Sequence, residues 1–249
     1  MHPVLFHWGP VTLYSYGFFV ALALFLSFWV AGQRAARHGL ERTVVSDLVC
    51  FLFLSGLAGA RLLYVLQHAQ DYRSDPWRVL NIQEGGLVWY GGFIVAAAAG
   101  ILYARARRWP LIDLCDFFAP VTALAQAVGR LGCFFNGCCY GKIAASGLGV
   151  VFPGQDEPRL PVQLYEFAAL CLISALLLWR SLAKRRRGEI FVLYLLLTSA
   201  TRFFLEFFRG DQTPVVFLTL PQWTSIVLFA GACVLYAAIL KQKTNHEKF

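Results

Sequence analysis

Charge is scarce in this chain. Only 14% of its 249 residues are Asp, Glu, Lys or Arg, against about 25% in an ordinary soluble domain. That scarcity excludes a solvated, disordered chain and leaves too little polar side chain to coat a fold in water. Histidine is rarer still, with five residues, none of them near the main cysteine cluster in sequence. A zinc site of mixed His and Cys ligands is therefore not expected. Acidic residues are outnumbered, 14 against 22 basic. No basic and aromatic loop of useful length accompanies that excess, so nucleic acid is not expected as a partner. Residues 1–15 hold no Lys or Arg, and no small-residue cleavage site follows the first apolar run. The first span is therefore read as retained rather than as a cleaved signal peptide. Internal repeats and low-complexity linkers are also lacking.

What the chain has in abundance is apolar surface: 58% of residues are hydrophobic and the mean hydropathy is +0.58. An apolar run of about 20 residues is long enough to cross the hydrocarbon of a bilayer as a helix. Seven runs qualify, at 15–33, 48–67, 86–104, 113–135, 162–180, 189–208 and 221–240. The expected fold is an all-α integral membrane protein, one polytopic domain over residues 1–249. Small outer-face loops fall at 68–85, 136–161 and 209–220, where Asp71, Asp75, Pro76, Pro153, Pro158 and Pro161 supply turn chemistry.

The basic residues set the orientation. One side collects Arg34, Arg37 and Arg42, Arg105 to Arg108, Arg180 to Arg187, and Lys241, Lys243 and Lys248. The other holds Arg73, Arg78, Lys142, Arg159 and Arg209. Cytoplasmic loops accumulate Lys and Arg, so the first side is read as cytoplasmic, with the N-terminus outside and the C-terminus inside.

Arg61, Arg130 and Arg202 lie inside spans, as do Glu166 and Glu206. Each ionised group costs about 2.5–3.5 kcal/mol at a helix centre on insertion scales. Interhelical ion pairing alone would account for any one of them. Five together point to a polar site. Arg202-Phe-Phe-Leu-Glu206-Phe-Phe-Arg209 places its three charges on one helical face. One reading is a structural ion ladder. The sharper one is a cationic cup for a phosphate, because a guanidinium donates two parallel hydrogen bonds to phosphate oxygens.

Other polar motifs gather at span ends. Gly129-Arg130-Leu131-Gly132-Cys133 runs into Asn136-Gly137-Cys138-Cys139-Tyr140-Gly141, where glycines permit close backbone approach or an unwound end. Gly85-Gly86 and Gly91-Gly92 flank Trp89-Tyr90; Trp89 suits an interfacial belt, and Tyr90 can point its hydroxyl inward. Pro161 opens the fifth span ahead of Gln163, Tyr165 and Glu166. Cys50, Cys115, Cys171 and Cys233 read as small hydrophobes. Cys133, Cys138 and Cys139 cluster; adjacent Cys138 and Cys139 make a poor disulfide, and Cys133 with either remains open.

These residues resemble the prolipoprotein diacylglyceryl transferases of bacterial plasma membranes. The match runs through His2 to Pro10, Tyr16-Gly17, Gly59-Ala60-Arg61, Glu84-Gly85-Gly86 and Gly91-Gly92. It continues through Gly129-Arg130 to Gly141, Gln163 to Glu166, Arg202 to Arg209, and Pro221-Gln222. This chain departs from the family pattern at Cys133, where Asn is usual, at Cys138-Cys139-Tyr140, and at Tyr90, where His is usual. The departures mark a divergent member.

The resemblance implies transfer of the diacylglyceryl group of phosphatidylglycerol to a lipobox cysteine in the signal-peptide region of a preprolipoprotein. The products are a thioether and glycerol phosphate. It implies Arg130, Arg202 and Tyr90 as catalytic. It implies Tyr16, Arg61, Glu84, Cys133, Asn136, Gly141, Gln163, Tyr165, Glu166, Glu206 and Arg209 as substrate-binding. No metal or organic cofactor is expected, and the enzyme is expected to act as a monomer among membrane lipids. Two other classes remain open. A membrane thiol-redox protein would use Cys133, Cys138 and Cys139, but no second exposed cysteine pair accompanies them. A small-anion transporter would line a path with Arg61, Arg130 and Arg202, but it would favour inverted repeats, which are lacking.

Overall fold

In the computed structural model, the described residues are 3–8, 11–73, 75–81, 85–144, 147, 149–183 and 186–246. Among them are seven long helices: α1 (Ser15–Ala35), α2 (Arg42–Gln67), α3 (Trp89–Ala106), α4 (Leu111–Asn136), α5 (Val162–Arg180), α6 (Glu189–Glu206) and α7 (Leu220–His246). Each coincides with one of the seven apolar runs. Five of them, α1, α2, α4, α5 and α7, are long and apolar enough to cross a membrane. On α7, Val227 and Val234 are mostly exposed. In water each would forgo about 1.5–3 kcal/mol of burial, a loss that a lipid environment removes.

The all-α expectation requires one correction. Two short strands, β1 (Val4–Trp8) and β2 (Val11–Tyr14), form an antiparallel hairpin before α1. Val4 pairs with Tyr14 and His7 with Thr12, with an irregularity between Val4 and Phe6. The stretch is rich in β-branched and aromatic residues, as a strand prefers. Its Ser15 amide donates to the Pro3 carbonyl at 2.9 Å, so the hairpin runs directly into the helix.

The chain packs as two units, passing from one to the other within α1 and again within α4. The first comprises Met1–Val30 and Cys115–Phe249. Its core is a stripe of small residues on α4, Ala119, Ala123 and Ala127, laid against Leu170, Ile173 and Leu177 of α5 and Ile190 of α6. Spacings of four on α4 and three or four on α5 put each set on one helical face. Pro120 sits inside α4, and its carbonyl accepts from the Ser174 hydroxyl at 2.9 Å. Buried Asp116 crosses from α4 to cap the start of α6, accepting from the Gly188 and Phe191 amides at 2.7 and 2.8 Å. These are amides at the start of α6, which a helix N-terminus leaves without an intrahelical acceptor.

The second unit, Ala31–Leu114, is dominated by α2 against α3. Their backbones meet at glycines. A Cβ on Gly59 would stand 2.5 Å from the Gly91 carbonyl oxygen and from Val95 Cβ, and one on Gly92 would stand 2.9 Å from the Gly56 oxygen. The Val88 amide donates to the Ala60 carbonyl at 3.0 Å, which anchors the start of α3 on α2. Gly17, by contrast, has no atom within 4 Å of a built Cβ. Gly59→Val should therefore destabilise the protein by about 1–3 kcal/mol, the usual cost of overpacking. Gly17→Ala should leave the melting temperature in detergent unchanged. An equal Tm for the Gly59 variant would refute the close crossing.

Candidate functional site

Glu166, one turn into α5, is the centre of an ionic chain in the first unit. Its side chain is 5% exposed. Oε2 lies 2.5 Å from Arg130 Nε on α4, and Oε1 accepts from Arg202 Nη1 on α6. Arg202 Nη2 continues to Glu206 Oε2 at 3.0 Å, one turn further along α6. Arg209, just past the end of that helix, lies 3.8 Å from the same oxygen through Nε. It holds Asp211 with two hydrogen bonds, at 3.0 and 2.8 Å. Three arginines and three carboxylates thus alternate, which lets so many charges enter one helical unit.

The two signs are not equally buried. The carboxylates of Glu166 and Glu206 are almost fully enclosed, whereas the Arg130 and Arg202 side chains are 27% and 25% exposed. The anions form the backing and the guanidiniums retain accessible surface. The structural ladder expected from the sequence is therefore present, and its guanidiniums keep part of their surface accessible.

Glu206 is held from a second direction. Its Oε1 accepts the Thr219 hydroxyl at 3.0 Å. Thr219 stands at the start of α7, where the Gln222 amide donates back to Thr219 Oγ1 at 3.4 Å and Gln222 Oε1 accepts the Thr219 amide at 3.0 Å. This is a capping box, and its signature, Thr219-Leu220-Pro221-Gln222, is present in the sequence. Sequence reasoning took up Gln222 but missed Thr219. Asp211 carried no signal of its own beyond its loop position.

The residues after α4 are shaped by backbone. Gly137 takes a left-handed conformation (φ 77°), its amide donates to the Phe134 carbonyl, and the Cys138 amide donates to the Cys133 carbonyl at 3.1 Å. This Schellman closure folds Cys138 back onto Cys133. Cys139 is also left-handed (φ 65°), at a cost of order 1–3 kcal/mol for a non-glycine residue. The three Sγ atoms lie within 4.8 Å of one another, and all three thiols are free. The Cys139 thiol donates to the Cys138 sulfur at 3.8 Å, and the Cys138 thiol to the Cys133 carbonyl at 3.7 Å.

Buried Gln163 donates from Nε2 to the Cys138 carbonyl at 2.7 Å and so ties this turn to the start of α5. Gly141 pairs with Arg209 as an isolated bridge, and the Lys142 amide donates to the Phe208 carbonyl at 2.8 Å. A Cβ on Gly210 would stand 2.7 Å from the Gly141 oxygen. That close approach brings the chain after α4 to the end of α6. The loop that follows folds on itself, with Phe152 buried beside Tyr140 and the Arg159 guanidinium over the Tyr140 ring at 4.9 Å.

The remaining expected residues fall as follows. Tyr16 opens α1 and lies against Gly132 of α4, where a built Cβ would stand 3.3 Å from its ring. Asn136 and Tyr165 are exposed. Arg61 and Tyr90 belong to the second unit, and Glu84 lies outside the described residues. Tyr90 is half-exposed at the start of α3, with its ring edge-on to Trp89.

Arg61 differs from expectation. Its Nε donates to the Val79 carbonyl, Nη1 to Gly85 and Gly86, and Nη2 to Arg78 and Asn81, at 2.7–3.2 Å. A guanidinium has five N–H donors, and backbone carbonyls take all of them. Buried Arg61 thus fastens residues 78–81 and 85–86 instead of offering donors to a ligand.

Fold and site together define a multi-pass membrane protein that keeps a row of guanidiniums, backed by buried carboxylates, between its helices. The chain belongs to the prolipoprotein diacylglyceryl transferase family, whose model matches residues 3–238. Among curated relatives, the phosphatidylglycerol–prolipoprotein diacylglyceryl transferase of Idiomarina loihiensis is 34% identical over 250 residues, covering 96% of this chain and 94% of that protein. Its namesake from Pseudoalteromonas atlantica is 35% identical, covering 83% and 75%. The second transferase of this name from Clostridium perfringens is 29% identical, covering 91% of each.

Thr219→Val removes both the donor to Glu206 and one half of the capping box. It should lower stability by about 1–3 kcal/mol, as expected for a buried acceptor left unsatisfied. Thr219→Ser should restore it. Thermal unfolding in detergent measures this, and a Val variant as stable as wild type would contradict the arrangement.

Proposed function

We propose that this chain transfers the diacylglyceryl group of phosphatidylglycerol to the lipobox cysteine of a preprolipoprotein. A sulfur–carbon bond forms, the bond between glycerol carbon and phosphate oxygen breaks, and glycerol phosphate leaves with the electron pair. The observation that carries this reading is the buried Glu166 carboxylate holding two partly exposed guanidiniums, Arg130 and Arg202.

The chemistry makes two demands on the site: bind a phosphodiester, then stabilise the extra negative charge as it departs. Arg130 and Arg202 supply planar donors for both. Glu166 and Glu206 orient them and limit their reorganisation. Arg209 sets the far end of the chain. Tyr16, Asn136 and Tyr165 offer polar side chains to the substrates from exposed positions. Gln163 and Gly141 hold the backbone of the turn after α4. Cys133 stands at the edge of the site. Tyr90 is assigned a catalytic role on the resemblance alone. Arg61 serves indirectly, by fixing the segment that leads to Tyr90. Glu84 is assigned to substrate on the resemblance alone.

The apolar helix faces admit acyl chains sideways from the bilayer. All seven helices span the bacterial plasma membrane, with the N-terminus outside and the basic loops in the cytoplasm. The protein works as a monomer, without nucleic acid.

Arg130→Ala should leave membrane insertion intact while lowering thioether formation by about 10²-fold or more, comparable to a lost oxyanion donor. Arg130→Lys should not restore it, because an ammonium lacks the planar fork. The assay is mass spectrometry of a lipobox peptide incubated with the purified protein and phosphatidylglycerol. A diacylglyceryl mass increase with wild type separates the transferase from thiol-redox and transport functions. A normal rate with Arg130→Ala would overturn the role of that residue.

A further inference from the structure

Three thiols converge beside the ionic chain, and the mechanism above gives them no task. The Schellman closure brings Cys138 over Cys133, and the left-handed backbone at Cys139 turns the next side chain toward the same place. Successive side chains in extended backbone point apart; here Cys138 Sγ and Cys139 Sγ are 3.8 Å from each other, and all three sulfurs fall within 4.8 Å. A metal ion that binds thiolates at about 2.3 Å in a tetrahedron separates its sulfurs by about 3.8 Å. The Cys138–Cys139 pair already has that separation, and the Cys133 sulfur lies within 4.8 Å of both. Sequence reasoning dismissed a metal for want of a nearby histidine, but three sulfurs at this spacing need none.

The chemistry of the ligand set points the same way. Three protein ligands with one exchangeable position is the pattern of catalytic zinc. Three thiolates around a divalent ion leave one net negative charge, and Arg209 is bridged through its backbone to Gly141, two residues beyond Cys139. The reaction proposed above also needs the attacking thiol in its deprotonated form. A free thiol, with a pKa near 8.5, is mostly protonated at neutral pH, whereas a thiol bound to zinc is deprotonated outright.

We propose that Cys133, Cys138 and Cys139 bind a zinc-class soft divalent ion whose fourth position takes the substrate thiol. This inference rests on the transferase reading for its role, though not for the metal site itself. The incoming lipobox thiol displaces a metal-bound hydroxide, which takes the thiol proton and departs as water. The bound thiolate attacks the glycerol carbon, and the phosphate oxygen leaves with the electron pair toward Arg130 and Arg202. The neutral thioether is a poor ligand and gives way to water, which passes a proton to the departing glycerol phosphate and restores the hydroxide.

The test uses the full chain in detergent, reduced and kept anaerobic, with Co2+ as the probe. One equivalent should bind with a thiolate-to-cobalt charge-transfer band, and the ligand-field bands should shift when a lipobox peptide thiol is added. Cys139→Ser should weaken binding by at least about 10–100-fold, the loss seen when even an outer-shell partner is removed. Arg130→Ala should bind Co2+ as wild type does. Stripping wild type with a chelator, which requires no substitution, should lower the transfer rate at least tenfold, and Zn2+ should restore it. Absence of a charge-transfer band, equal binding by Cys139→Ser, or a disulfide between two of the three in protein isolated from membranes would overturn the metal site. Full activity after chelation would overturn its role. Should untreated protein bind Co2+ and answer the peptide thiol yet transfer no lipid, the metal site stands and the transferase reading fails.

Discussion

A carboxylate enclosed among helices cannot remain ionised alone, because burying an isolated charge costs far more than folding can offset. Glu166 meets that constraint by holding two guanidiniums at once, one from α4 and one from α6. The arginines in turn cannot both approach it unless those helices flank α5 closely. The stripe of Ala119, Ala123 and Ala127 against α5 provides that approach. Packing and electrostatics therefore define one geometry together. Removing one partner from such a group typically costs about 3–5 kcal/mol, since the other charge is left buried and unpaired.

Function follows from the asymmetry of the chain. If every charge were enclosed, the row would be a structural brace. Because the carboxylates lie behind and the arginines keep about a quarter of their surface exposed, the proposed role of these donors is to meet the phosphate of the lipid. Preorganisation matters most where negative charge grows during the reaction, since the donors need not move to meet it. Backbone devices around the row do the placing. The capping box at Thr219 holds Glu206, the Gly141 and Gly210 approach brings Arg209 toward the turn after α4, and the Schellman closure gathers the thiols there.

Much of this was legible in the sequence, for identifiable reasons. Apolar runs marked all seven helices, five of which are long and apolar enough to cross a membrane, since hydropathy is the strongest signal a membrane chain carries. The pairing of Arg202 with Glu206 followed from a spacing of four on a helix. The hairpin at Val4–Tyr14 was not read, because its residues carry no long periodic pattern. Arg61 shows the limit of residue type as a guide. An intramembrane arginine signals a polar environment, but only coordinates reveal that the environment is the carbonyls of Arg78, Val79, Asn81, Gly85 and Gly86. The hub role of Glu166 was hidden for a similar reason, since its partners lie 36 residues away in either direction. The convergence of the cysteines depends on a left-handed residue that no sequence pattern announces.

The central claim is that Glu166 acts by holding Arg130 and Arg202 in place, and a mutant cycle on transfer kinetics tests it most directly. Glu166→Gln is isosteric and removes only the charge. Its effect on kcat/KM for a lipobox peptide should be about 10²-fold in the wild-type background. It should nearly vanish when Arg202 is already Lys, because residues that act as one unit are not additive. If the two losses instead multiply, Glu166 and Arg202 act independently, and the account of the site built on their pairing is wrong.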